Sequence, residues 1–446
     1  MARGAAITDP EILRALDQSG LNFANLLGAD ANANSATLFA LPLMGEVRDA
    51  TDRDFNAYVV ARKDAPERLN LFDRDALNAE STRFDLAGIV NRMDRAYVSP
   101  DSCGEIRLIY RPISSHDNAS VRLPMTFSLI VKAKPANANV SCAELARRWL
   151  AMGDGSPADA FTVAAKGGPL EWGTREAIDR IEINIQVARA AADPNDFEGR
   201  ADYLMKVFRL DPKRQLFAES PMENQVDAER IKADKKLAAD FRQWLLDPAH
   251  ITDLDRGTIV LPDRFLAMGV INETPSHADV DSAARDLFTD DDTVTALAAA
   301  SARAPLDNIL SPAGFARRLD DITCAGCHRT RAVGGFHFPG AERPGHSTSA
   351  VVAAASPHFF GDQERRRDVL TSLRDGTLPD LSRGFSARPQ TRRAKELAGT
   401  TYVDGWGAMC YAPDHADRSF SSWTCAEGLA CQTNGVSRAG FCFPKN

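Results

Sequence analysis

The chain has no run of about 18 consecutive apolar residues, so no helix in it is expected to cross a membrane. It also lacks any excess of basic residues: 53 Lys and Arg stand against 61 Asp and Glu, a formal net charge of −8. That balance argues against nucleic acid or an anionic membrane surface as a main partner. Several signatures are missing altogether: the P-loop, the G-x-G-x-x-G turn, the G-x-S-x-G nucleophile elbow and the H-E-x-x-H zinc helix. No internal repeat occurs at solenoid periods. The opening Met1-Ala-Arg-Gly-Ala-Ala has no apolar h-region, so export would rest on a signal this sequence does not display, with a cytosolic location as the alternative. Thr289-Asp-Asp-Asp lacks the twelve-residue spacing and the glycine of a calcium loop, and reads as a solvated acidic turn.

What remains is a chain of globular composition, 44% hydrophobic and 26% charged, whose 446 residues suggest roughly two or three domains. A chain of this length buries a large core without needing disulfides. Asp9 before Pro10 predicts a helix start, and residues 29–35 a loop. From about 46 to 135 the pattern is β, with strands at Phe84–Arg92, Glu105–Arg111 and Met125–Lys132. Ser141-Cys-Ala-Glu144 is a capping box opening a helix through Leu150. Ile181, Ile183, Ile185 and Val187 alternate with polar residues, as a half-buried strand requires. Residues 203–210 and 216–219 read as a hairpin. Helices are expected over about 227–246 and 282–303, from Ser311-Pro312 toward Cys324, and from Asp362 to Arg374 with Gly376 just past the end. The fold class is α+β: a β-rich domain over 1–225, a mainly helical segment over 226–400, and a small disulfide-rich module over 401–446.

The eight cysteines are unevenly spread. Cys410, Cys425, Cys431 and Cys442 fall in the last 37 residues, in a stretch too short for an apolar core, so two disulfides are its expected scaffold. Three pairings are open. Cys103 and Cys142 flank element ends and can join. Such density fits an oxidising compartment, periplasmic or extracellular.

The remaining pair stands in Cys324-Ala-Gly-Cys327-His328. Two thiols separated by two residues can reach two vinyl groups on one porphyrin edge, and the adjacent histidine can bind iron from one face. The small residues between the thiols leave room for a macrocycle. On these five residues the chain resembles the c-type cytochromes. The resemblance implies one covalent haem c, thioether links at Cys324 and Cys327, and axial ligation by His328. The other readings of the same residues are a disulfide or redox dithiol, and a zinc site drawing on His337 and His346.

The sixth iron ligand decides the activity: a closed site suits an electron carrier, an open one a peroxidase-like enzyme. The sole downstream methionine is Met409, at the border of the cysteine-rich tail. His358, between Pro357 and Phe359, is the first choice and His337 the second. Arg329 and Arg331 are placed to neutralise haem propionates, whereas Arg365-Arg366-Arg367 reads as a solvated helix face. The leading expectation is an exported mono-haem redox protein acting on a redox partner protein or a small oxidant, possibly a haem-dependent oxidoreductase. The alternative is a secreted, disulfide-stabilised binding protein without cofactor.

Overall fold

Period-two alternation sets the architecture. In the computed structural model, the described residues are 5–61, 68–70, 74–116, 119–152, 160–190, 200–272, 285–328, 359, 362–383, 405, 408–414, 417–433, 435 and 438–445. Their largest element is an antiparallel sheet of ten strands: β1 (Ala6–Ile7), β2 (Arg68–Asn70), β3 (Thr82–Arg92), β4 (Glu105–His116), β5 (Ala119–Arg122), β6 (Met125–Lys132), β7 (Ile178–Ala190), β8 (Arg200–Asp211), β9 (Leu216–Ser220) and β10 (Gly269–Asn272). The main path runs β1-β3-β4-β6-β7-β8-β10, with β2 on β7, β5 on β4 and β9 on β8. The fold is α+β.

Because side chains alternate across a strand, each long strand divides its residues between two faces. The first face carries Ile106, Leu108 and Tyr110 of β4, Phe127 and Leu129 of β6, and Ile181 and Ile183 of β7. It meets the helices Pro10–Leu16, Phe23–Leu27, Ser35–Phe39 and Gly45–Ala61 in one core. Phe23 stacks on Phe84 with ring centroids 4.5 Å apart, and the Tyr110 hydroxyl donates to the Leu21 carbonyl at 2.7 Å. Each such buried ring contributes roughly 1.5–3 kcal/mol by leaving water. The pairing of β3 with β4 slips between Leu86 and Gly88. That bulge moves Ile89 onto the core face and turns Val90 and Arg92 to the other one.

A second core spans Ile231 to Leu319 and is helical, built on Phe241, Leu254, Phe265 and Phe315. Three local expectations are corrected here. Residues 45–61 form a helix where β structure is expected from about 46. The helix expected over 227–246 is two, Ala228–Ala233 and Lys235–Leu245, because the Asp234 carboxylate accepts from the backbone N–H of Lys236 and Leu237 and so starts a new helix. The acidic triplet 290–292 is the first turn of the helix Asp290–Ser301, capped by Thr289, where negative charge suits the helix dipole; the expected start at 282 falls outside the described residues.

Three disulfides are present: Cys103–Cys142, Cys410–Cys431 and Cys425–Cys442. The first ties the loop before β4 to the first residue of the helix Cys142–Ala151. The other two staple a small sheet of β11 (Met409–Tyr411), β12 (Leu429–Gln432) and β13 (Ala439–Pro444), ordered β11-β13-β12. This module docks on the helix Pro312–Asp321. The Ser311 hydroxyl donates to Asp417 at 2.7 Å, and the Arg317 guanidinium lies over the Trp423 ring at 5.0 Å. Gly314 permits the approach: a Cβ there would lie 2.2 Å from the Ser419 hydroxyl. Among the described residues no helix is long and apolar enough to cross a membrane.

Candidate functional site

The second face of the sheet is polar in sequence yet largely covered. It presents Arg92 of β3, Glu105, Arg107 and Ile109 of β4, Thr126 and Ser128 of β6, Arg180, Glu182 and Asn184 of β7, and Met205 and Val207 of β8. Residues 221–224, Thr323, Cys324, Phe359, Arg366 and Arg383 close over it and leave a cavity of about 210 Å³. Phe359 is 1% exposed and packs on Ala6, Val90 and Ile109. Cys324, at the start of the motif, lines the cavity beside Met205, Val207, Met222 and Ala325.

The motif follows directly from the helix Pro312–Asp321. Ser311 caps that helix, its hydroxyl accepting from the Gly314 N–H. The helix is pinned by Arg318, which is fully buried. Its guanidinium donates to the Leu254 carbonyl at 2.9 Å, to the Arg383 carbonyl at 2.5 Å and to the Asp255 carbonyl. Asp255 in turn accepts from the backbone N–H groups of Asp307, Asn308 and Ile309. Past the helix, Ala325–His328 forms one 3₁₀ turn.

Three contacts fix this turn against the sheet domain. The Thr323 hydroxyl donates to the Asp320 carbonyl at 2.7 Å and accepts from the Gly326 N–H at 2.9 Å. The Ala325 N–H donates to the Gln225 side-chain oxygen at 3.2 Å. The Cys324 thiol donates to the Glu223 carbonyl at 3.5 Å. Gly326 has no room for a side chain, since a Cβ would stand 2.5 Å from the Asp321 carbonyl oxygen.

Two ion-pair networks border the cavity. In one, Glu105 receives Arg95 at 3.0 Å, Arg107 at 3.1 Å and Arg180 at 2.9 Å, while Glu182 pairs with Arg107 and Arg180. Glu223 joins through Arg95, and Asp179 through Arg180 and Arg209. In this network four guanidinium groups face four carboxylates. The other network is richer in cations. Asp94 receives Arg92 at 2.9 Å, Arg365 at 2.8 Å and Arg383 at 3.1 Å, and Asp362 receives Arg365 and Arg366, each at 2.8 Å. Among the described residues this network sets four guanidinium groups against two carboxylates.

The titration behaviour follows from that imbalance. Burial pushes the Arg92 guanidinium down; Asp94 opposes this, but the charges of Arg366, Arg383 and Arg107 add to it, and the result is about 9. Burial also depresses Arg366. Burial works to raise the Asp94 and Glu105 carboxyls, yet the surrounding arginines hold both well below the usual carboxylate range.

Of the residues singled out from sequence, Cys324 lies on the cavity. Cys327 and His328 lie in the 3₁₀ turn, and only their backbone is described. Arg329, Arg331, His337, His346 and His358 fall outside the described residues. Met409 is buried in the C-terminal module, where the Arg317 guanidinium meets its sulfur at 3.3 Å. Arg365 and Arg366 are not a solvated face: they are 7% and 2% exposed, and they turn Asp362 from a helix cap into an ion-pair partner.

Arg92, Arg95, Arg107 and Arg180 were not singled out from sequence. Their signal is the opposite charges two residues apart in a strand, as in Glu105 and Arg107 or Arg180 and Glu182, and nothing local marks that face as covered. The sulfurs of Cys410, Cys425 and Cys442 lie within 4.8 Å of one another, but all three are bonded in disulfides and offer no thiolate to a metal. Comparisons of the chain with protein-family models, with curated proteins and with solved structures give no match.

Proposed function

We propose that this chain is an exported c-type redox protein carrying one covalent haem on Cys324 and Cys327, with His328 as an axial ligand. The observation that carries this reading is the cysteine pairing. Three disulfides engage six of the eight cysteines, and the two that remain are the motif pair. A chain that keeps three disulfides belongs in an oxidising compartment, periplasmic or extracellular, where covalent haem attachment is also completed.

The residues present suit the group. Each thiol adds its sulfur to one vinyl carbon and its hydrogen to the other, so attachment needs no oxidant and expels nothing. Both cysteines must then enter as thiols, which makes haem attachment and a Cys324–Cys327 disulfide mutually exclusive. The backbone between them is held by Thr323 and Gln225, which limits how far the two sulfurs can wander. Met205, Val207 and Met222 give the Cys324 side an apolar wall, and the arginine networks give a cationic one. When bound, haem supplies one-electron redox chemistry at its iron. Arg329 and Arg331 are the proposed partners of its propionates, and His358 or His337 the proposed ligand on the second face.

The test is spectroscopic. Protein purified from a host with c-type maturation machinery should show a haem band in its reduced pyridine form. No band would refute the proposal and favour a disulfide-stabilised binding protein. A low-spin ferric spectrum marks an electron carrier, and a high-spin one an open, peroxidase-like site. His358→Ala and His337→Ala should then differ: only loss of the true ligand converts low spin to high spin.

A further inference from the structure

We infer that the cavity on the second face of the sheet is a binding site for a small organic dianion of the dicarboxylate type, recognised by Arg92 and its neighbouring arginines beside Cys324. The inference stands independently of the haem. It rests on four features of the cavity: its charge, its donors, its walls and its size.

The charge is localised. The Glu105 network is balanced, whereas the Asp94 network brings four guanidinium groups to two carboxylates among the described residues. Arg92, Arg366 and Arg383 of that second network all line the cavity. Burying cations beyond their counter-charges is costly unless an anion accompanies them. The depression of Arg92 to about 9 reports the same repulsion. An anion seated among these groups would lift it.

The donors suit carboxylates. Guanidinium groups bind them through paired, parallel N–H donors, and Ser128, Thr126 and Asn184 add neutral hydrogen-bonding groups on the floor. The walls suit carbon: Val90, Ile109, Val207 and Phe359 line the same space. A bare inorganic oxyanion would leave those walls without a partner. A volume of about 210 Å³ admits a short dicarboxylate and is too small to enclose a whole porphyrin.

Succinate is the probe, titrated by calorimetry against wild-type protein, against Arg92→Gln, and against the double variant Cys324→Ala/Cys327→Ala, at constant ionic strength. Arg92→Gln is chosen because Asp94 retains Arg365 and Arg383. Its fold is checked by a thermal melt without ligand, which should be unchanged or higher because a buried excess charge has gone. We expect saturable succinate binding to the wild type and to the cysteine variant, weaker for phosphate and sulfate. Binding to Arg92→Gln should fall about tenfold or more. No saturable binding, equal affinity for Arg92→Gln, or tighter binding of sulfate than of succinate would overturn the inference. So would binding confined to the cysteine variant, because the haem propionates would then be the anion this cavity holds. Loss of the haem band with succinate binding intact would refute the haem reading alone.

Discussion

Asp94 holds the closest convergence of charge in the molecule, and Asp94→Asn isolates it. Its side chain is 2% exposed and receives Arg92, Arg365 and Arg383 within 3.1 Å. The amide keeps the shape but removes the charge and turns one oxygen into an N–H donor facing other donors. Breaking a buried pair by removing one partner costs about 3–5 kcal/mol, because the opposite charge stays buried. For a cooperative unit of this size each kcal/mol moves the melting temperature by roughly 2–4 °C, so a fall of about 6–20 °C is expected. The loss should be directional. Arg365 belongs to the helix Gln363–Arg374, whose Leu370 packs in the main core, so this helix should become the first site of limited proteolysis. Asp290→Asn, at an exposed helix start, serves as the charge-matched control and should move the melt by little. In a double-mutant cycle, Arg365→Met should cost less in the Asp94→Asn background than in the wild type. A melt for Asp94→Asn equal to that of Asp290→Asn, or additive costs in the cycle, would refute the assignment.

The same carboxylates set the response to acid. Asp94 and Glu105 are depressed in the folded state, so their contribution is complete above the unfolded carboxyl value of about 4 and is lost as pH falls toward their folded values. Stability measured by denaturant should therefore be flat from about pH 7 to 5 and fall below about pH 4, and Asp94→Asn should flatten that fall. Removing the Cys103–Cys142 bridge by paired serine substitution opens a loop with a sequence separation of 39 and should cost about 4 kcal/mol in a denaturant titration. Gly326→Ala pushes a methyl group to 2.5 Å from the Asp321 carbonyl oxygen, so the turn must shift at a cost of about 1–3 kcal/mol. Haem content per chain should fall with it while the C-terminal disulfides stay intact; unchanged stability and content would show that the turn is not held as described.

The strands were legible because period two is a local pattern. Ile181 to Val187 and Ile106 to Tyr110 each announce a half-buried strand, and the register follows once one face is apolar. The Asp9, Ser141 and Ser311 caps were legible for the same reason. Two features were not. The helix Gly45–Ala61 buries Val47, Phe55 and Tyr58 among many polar residues, so its periodicity is weak until the core it packs against is known. The covered second face was hidden because Arg92, Arg107 and Arg180 carry the pattern of a solvated face. What covers them arrives from residues 223, 324, 359 and 366, remote in sequence. Arg365 and Arg366 mislead in the same way: a run of three arginines reads as solvent-facing, and only Asp94, some 271 residues away in sequence from Arg365, draws that residue inward. The cysteine pairing in the tail needed the three-stranded module, since three pairings satisfy the spacing equally.

The measurement closest to the central claim is the intact mass of the chain, exported in a host with c-type maturation machinery, followed by mapping of the peptide that holds residues 324–328. The account predicts a mass increase of one haem, located on that peptide, with Cys410–Cys431 and Cys425–Cys442 preserved elsewhere. It also predicts that Cys324→Ala/Cys327→Ala abolishes the increase. A chain with no added mass, whose motif peptide carries a Cys324–Cys327 disulfide, would contradict it.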